Sequence, residues 1–161
     1  MQVTPQTVRR EYDWLANRST RTVSIINDVR AELGELFNTT VSPVTEESYR
    51  RELRIVFSNG DRAVNIAALV AMLRDLDVAD DYPGFVVDEL LGRELAGMIA
   101  GEQPLRLLAE ATFHYADVHL DGTDRENAGV DDLDAALAAG FQTRLPGWEW
   151  RAEESPFGLA E

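Results

Sequence analysis

The chain has 161 residues, 45% of them apolar, and a formal net charge of −14 at pH 7. This length and apolar content suit one domain whose core needs no metal or disulfide to hold it together. Because the sequence contains no cysteine, it excludes thiol catalysis, disulfide frameworks and thiolate zinc sites.

Charge is distributed unevenly along the chain. All fifteen basic residues are arginine. Residues 1–62 contain nine arginines and nine acidic residues, whereas residues 63–161 contain six arginines and twenty acidic residues. The absence of lysine fits GC-rich codon usage or a halophilic adaptation, since an acidic surface stays solvated at high salt. Because such a surface repels phosphate backbones, we expect no nucleic acid on the second part.

The sequence carries no sign of a membrane segment. Its beginning lacks an apolar leader, and the longest apolar stretch, residues 63–73, is too short to span a bilayer. We therefore expect a soluble protein of the cytoplasm, or of a particle assembled there, with no membrane partner.

An apolar heptad pattern defines the first predicted element. Thr4 and Pro5 are typical of a helix start, because Thr caps the helix and Pro needs no N–H there. Positions spaced four and three apart then carry Val8, Tyr12, Leu15, Ser19, Thr22, Ile26, Val29, Leu33 and Leu36. This pattern predicts a long N-terminal helix over residues 1–37 that projects as an interface. The alternative is a break near Asn17–Ser19, where the run NRSTRT contains no strong helix former except its arginines.

Alternating residues predict one short strand after this helix. Thr45 is suited to cap a helical turn that reaches Arg51. Leu53, Ile55 and Phe57 follow, each separated by one residue, which is the period of a strand with one buried face.

Helical spacing dominates the remainder of the chain. Helices are predicted at residues 62–76, 85–100, 103–116 and 131–140. Residues 151–161 are predicted to form a mobile acidic tail. The sequence therefore predicts a mainly α fold, a single helical domain over residues 1–150 with one short strand element. An α+β fold is the alternative.

Both histidines lie in one short stretch, EATFHYADVHL. Glu110 and His114 are four residues apart and therefore share one face of a helix, and Asp117 and His119 follow. These four residues are candidate metal ligands, and with a metal they would make a small metal-dependent hydrolytic enzyme. No His-Glu-x-x-His motif accompanies them, so we expect His114 to serve a helix end, with no metal and no cofactor.

The N-terminal segment has more apolar surface than one neighbouring helix can cover. Trp14 and Val23 lie off the heptad positions, which gives the helix a second apolar side. We therefore expect this segment to bind protein, either another copy or another subunit of a complex. The expected interface residues are Val8, Tyr12, Trp14, Leu15, Val23 and Ile26, with the arginines Arg9, Arg10, Arg18 and Arg21.

These patterns favour a non-enzymatic interaction or assembly subunit, a structural or adaptor component of a larger oligomeric complex. In it, the neutral N-terminal helix of one copy would pack on the acidic second part of a neighbour. Small helical parts of viral particles and similar machines offer an analogy. The metal-dependent enzyme is the alternative, and a nucleic-acid binder working through the N-terminal arginines is the second alternative.

Overall fold

The computed structural model describes residues 2–75, 87–120 and 128–147, together with residues 154, 158 and 159. Within these ranges the protein is mainly helical and has no strand, which confirms the predicted fold class. Its helices are α1 (Pro5–Asn17), α2 (Ser19–Leu36), α3 (Glu46–Ser58), α4 (Gly60–Asp75), α5 (Arg93–Ala100), α6 (Leu105–Leu120) and α7 (Ala128–Gln142). A π-helical segment, Val87–Gly92, leads directly into α5.

The N-terminal heptad segment folds as two helices that meet at Arg18. Thr4 caps α1 as predicted, because its hydroxyl accepts the Thr7 N–H at 3.2 Å. At Arg18 the backbone leaves the helix, with φ −93° and ψ 9°. The prediction of one continuous helix is therefore wrong, and the break near Asn17–Ser19 is confirmed. Because of this break, α1 lies against α3 and α4 while α2 lies against α3 and α7.

The predicted strand is wrong, because its residues lie in α3. Thr45 caps this helix through the Ser48 N–H at 3.1 Å, and the helix continues past the predicted turn. Its buried stripe is Tyr49, Leu53 and Val56, which are spaced as one helical face. Ile55, which a strand would have buried beside Leu53, is 45% exposed. The segment fits both periods, and the cap together with the core decides for the helix.

Helix α7 is the centre of the bundle, where it contacts α2, α4, α5 and α6. Its residues from Leu133 to Phe141 are all buried, and most are alanine or leucine. A Cβ added to Gly140 would lie 2.8 Å from the Cβ of Ile99, so the glycine permits close approach of α5. The predicted helix end at Gly140 is wrong, because this glycine lies inside a helix that runs to Gln142.

The predicted mobile acidic tail, residues 151–161, lies outside the described residues except at three positions. Glu154, Gly158 and Leu159 are all exposed. The Leu159 side chain is 98% exposed, so it makes almost no contact with its own chain.

Candidate functional site

Most apolar residues of the predicted interface lie in or against the core of their own chain. Leu15 and Ile26 are fully buried, and Val23 is nearly so. Tyr12 and Trp14 are partly buried and pack on the same core cluster. The chain therefore covers these side chains itself, apart from the outer edges of the two aromatic rings.

Two of the predicted interface arginines bind a buried carboxylate. Asp134 of α7 is 0% exposed. Arg18 donates to it in bidentate fashion, from Nε to Oδ1 at 2.7 Å and from Nη2 to Oδ2 at 2.8 Å. Arg21 donates from Nε to Oδ2 at 2.7 Å. Since paired, charge-assisted hydrogen bonds of this kind are strong, they hold the α1–α2 junction to the central helix.

A second buried carboxylate, Glu11, joins α1 to α4. Arg74 binds it with both Nη atoms, and its Nη2 lies 3.1 Å from Oε1. The hydrogen bond to Glu11 raises the pKa of Arg74. Arg10 donates to the same carboxylate at 3.1 Å. The Trp14 ring contacts the guanidinium groups of both Arg74 and Arg18, at 5.4 and 5.0 Å from its centroid, and so links the two ion pairs.

The positions of two carboxylates in the sequence, unlike the overall composition, predict these ion pairs. Glu11 is on the buried stripe of α1, four residues after Thr7 and four before Leu15. Asp134 lies in the Ala- and Leu-rich run of α7. A carboxylate on a buried face needs a cationic or hydrogen-bonding partner, so these two positions predict internal ion pairs. The pattern does not show which arginine supplies the partner.

Three other arginines bind carbonyl groups near helix C-termini. Arg30 is buried and donates to the carbonyls of Gln142, at 2.9 Å, and Leu145, at 3.0 Å, at the end of α7. Arg62 donates to carbonyls in the last turn of α3, and Arg144 to those of α5. A guanidinium suits this role, because it has five N–H donors and its charge is favoured at a helix C-terminus. Lysine could not bind several carbonyl groups with the same geometry. The use of arginine in place of lysine therefore has a structural role at these helix ends.

Arg9 and Arg54 differ from the other arginines of the described ranges. Thirteen of the fifteen arginines lie in those ranges. Of these thirteen, Arg9 and Arg54 are the two that make no hydrogen bond or ion pair with the described part of the chain. Both side chains are exposed. Their charges are therefore available to a partner.

Both of these arginines line an apolar groove of about 660 Å³ between α1, α3 and α4. We call it the N-terminal groove. Its apolar lining includes Val3, Pro5, Val8, Tyr12, Phe57 and Val64. The rings of Tyr12 and Phe57 meet edge to face, with centroids 5.5 Å apart. Val8, Arg9 and Tyr12 were predicted from the sequence, whereas the α3 side of the groove was missed because α3 was assigned as a strand.

A second groove, of about 590 Å³, lies between α2, α6 and the end of α7. Phe37, Val41 and Leu108 contribute to its apolar lining. The Tyr115 hydroxyl donates to Glu32 at 3.0 Å at this surface. Burial and this carboxylate raise the pKa of Tyr115. None of the arginines that the structure describes lines this groove, so its described lining does not indicate the charge of a partner.

The four candidate metal ligands lie on α6. Glu110 accepts a hydrogen bond from Arg106 at 3.3 Å, and the His114 ring contacts that of Phe113. The side chain of His119 lies outside the described residues. Among the described residues, no three His, Asp or Glu side chains come together where they could hold a metal ion.

The family model described as Domain of unknown function (DUF7984) matches residues 1–161. The chain belongs to this family. No curated protein and no solved structure matches it. In the described part of this DUF7984 protein, no helix is both long enough and apolar enough to cross a membrane.

Proposed function

We propose that this protein is a non-enzymatic interaction or assembly subunit, a structural or adaptor component of a larger oligomeric complex. It binds a segment of another protein chain in the N-terminal groove. The observation that carries this proposal is the open apolar groove beside Arg9 and Arg54, the two arginines without a partner in the described chain.

The chemistry of the groove supports a protein partner that is both apolar and acidic. Apolar lining gives affinity, because a side chain that enters the groove leaves water. Opposite charges at the edge of a binding surface add specificity and speed association. Since Arg9 and Arg54 bind no carboxylate of the described residues, an incoming carboxylate does not compete with one from that part of the chain.

The proposed surface is narrower than the interface that the sequence suggested. Leu15, Val23 and Ile26 belong to the core, and Arg18 and Arg21 hold Asp134. The N-terminal contribution is therefore Val3, Thr4 and Pro5 together with the outer face of α1 from Val8 to Tyr12. Helices α3 and α4 supply the rest.

Photo-crosslinking at two positions of α4 tests the proposal. Val64 lines the groove and is 38% exposed, whereas Met72 is 42% exposed and lies outside the groove lining. A photoreactive amino acid in place of Val64 is expected to give a discrete protein adduct in cells, and the Met72 position is expected to give none. The adduct should disappear when Arg9 and Arg54 are both changed to Glu. Equal labelling at both positions, unaffected by these changes, would refute the proposal.

A further inference from the structure

We infer that the N-terminal groove of one copy receives the C-terminal segment, residues 153–161, of a second copy. This inference rests on the proposed function and names its partner. It places the basic-edged groove of one molecule against the acidic end of the next.

The segment has the two properties that the groove requires. Its sequence, EESPFGLAE, contains three glutamates around the apolar residues Phe157 and Leu159. Leu159 is 98% exposed, so its own chain leaves an apolar side chain in water. Glu154 is exposed as well, so its carboxylate is accessible to a neighbouring molecule. Docking in an apolar groove would remove Leu159 from water and bring the glutamates to Arg9 and Arg54.

Charge complementarity directs the segment to this groove rather than to another surface. Residues 63–161 carry the entire net charge of the chain and repel an acidic segment. Most arginines of the first part already bind carboxylates or carbonyls within the described structure. Arg50 donates to the Ser19 hydroxyl. Arg9 and Arg54 are the two arginines of the first part that make no hydrogen bond or ion pair with the described residues, and both line the same groove.

The proline of the segment suits an aromatic groove. Pro156 disfavours a helical conformation at the residue before it and favours an extended backbone there. Extended proline-rich segments dock on aromatic-lined grooves, because a stiff chain loses little entropy on docking. The contacting rings of Tyr12 and Phe57 supply an aromatic surface in the N-terminal groove.

A contact of this kind joins two unlike surfaces. After a single contact, one copy keeps a free groove and the other keeps a free segment, so further copies can add to form rings or open chains, and two copies can also exchange their segments reciprocally. One short segment buries less area than a standard protein interface, so each contact is weak and association depends on concentration. The salt dependence should be strong, because the pairing charges are exposed.

Charge exchange between the two surfaces tests the inference in the full-length chain. The groove variant is Arg9→Glu with Arg54→Glu, and the segment variant is Glu153→Arg with Glu154→Arg. The control is Arg51→Glu, an exposed reversal on α3 whose arginine pairs with Glu47 at 3.4 Å outside the groove. Mass in solution is measured by sedimentation over a concentration series at low salt.

The wild type and the control are expected to self-associate alike. Each variant alone should associate at least about tenfold more weakly, a factor that corresponds to about 1.4 kcal/mol. An equal mixture of the two variants should regain association, because the acidic groove of one now meets the basic segment of the other. A single chain carrying all four changes should regain it as well.

Three results would overturn the inference. A wild type that remains monomeric at every concentration would exclude a second copy as the partner. The same result is expected if the segment docks in the groove of its own molecule. Variants that associate like the wild type would show that other surfaces join the copies. Weakened variants whose mixture regains nothing would exclude this pairing. If the Val64 adduct persists in any of these cases, the groove binds a different protein, and the proposed function stands without this partner.

Discussion

The buried ion pair at the α1–α2 junction gives the sharpest test of how the fold is held. In Asp134→Asn, a neutral amide of the same shape replaces the carboxylate that accepts from Arg18 and Arg21. Asp134 is fully buried, whereas the side chains of Arg18 and Arg21 are 18% and 35% exposed. Removing one partner of a buried pair commonly destabilises a protein by about 3–5 kcal/mol.

Water reaches both guanidinium groups, which reduces the penalty of leaving them without the carboxylate. We therefore expect a loss of about 2–4 kcal/mol in the free energy of unfolding, a large part of the roughly 5–15 kcal/mol of a typical domain. Urea denaturation followed by circular dichroism measures this loss. Glu47→Gln is the matched control, because it neutralises a glutamate whose side chain is 84% exposed and which pairs with Arg51.

The control should change the free energy of unfolding by no more than about 0.5 kcal/mol. A loss in Asp134→Asn that is as small as this would show that the buried ion pair contributes no more to stability than a surface contact. Replacing Asp134 by Leu together with Arg18 by Met should be less damaging than Asp134→Asn, since it removes one of the two cations along with the carboxylate.

Three further predictions concern packing, titration and nucleic acid. Gly140→Ala should lower the free energy of unfolding by about 1–3 kcal/mol, because the new Cβ meets Ile99 in α5; thermal melting measures it. Burial raises the pKa of Tyr49 well above its ordinary value of 10.0. Its contribution to stability is therefore complete below pH 10 and lost as pH rises further, which the difference between the wild type and Tyr49→Phe in alkaline unfolding would reveal. Nucleic-acid binding should be weak at physiological salt, because Arg10, Arg18 and Arg21 already bind carboxylates.

Each of these predictions has a clear contrary result. A Gly140→Ala protein as stable as the wild type would mean that α5 and α7 approach less closely than described. A wild type and a Tyr49→Phe variant with the same alkaline unfolding would mean that the hydroxyl is accessible to water. Tight, steeply salt-dependent binding of DNA or RNA in an anisotropy titration would restore the arginines of α1 and α2 as a nucleic-acid surface.

The sequence predicts the helical class well, because the evidence for it is local. Thr4 and Pro5 mark the start of α1, and the weak helix formers around Ser19 mark its separation from α2. The strand prediction was wrong because the apolar residues between Leu53 and Phe57 fit the spacing of a strand as well as that of a helix. Leu53 and Val56 define the buried face of α3, but Leu53 and Ile55 fit a strand as well, and the Thr45 cap together with the core decides between the two.

The roles of the arginines could not be predicted, because their partners lie far away in the chain. Arg18 and Asp134 are separated by 116 positions, so no local pattern connects them. The N-terminal groove combines α1 with α3 and α4, and the helical nature of α3 had to be known before Arg54 and Phe57 could be placed beside Val8. What the sequence did reveal is the division between a neutral first part and an acidic remainder.

Crosslinking between labelled and unlabelled copies shows whether the N-terminal groove of one copy holds the C-terminal segment of another. Isotope-labelled and unlabelled chains, each with a photoreactive amino acid in place of Val64, are mixed at low salt, illuminated and digested for mass spectrometry. We expect position 64 to become joined to the segment 153–161, in products that combine a labelled with an unlabelled chain. Products joined only within one chain, or no product from this segment, would contradict this expectation.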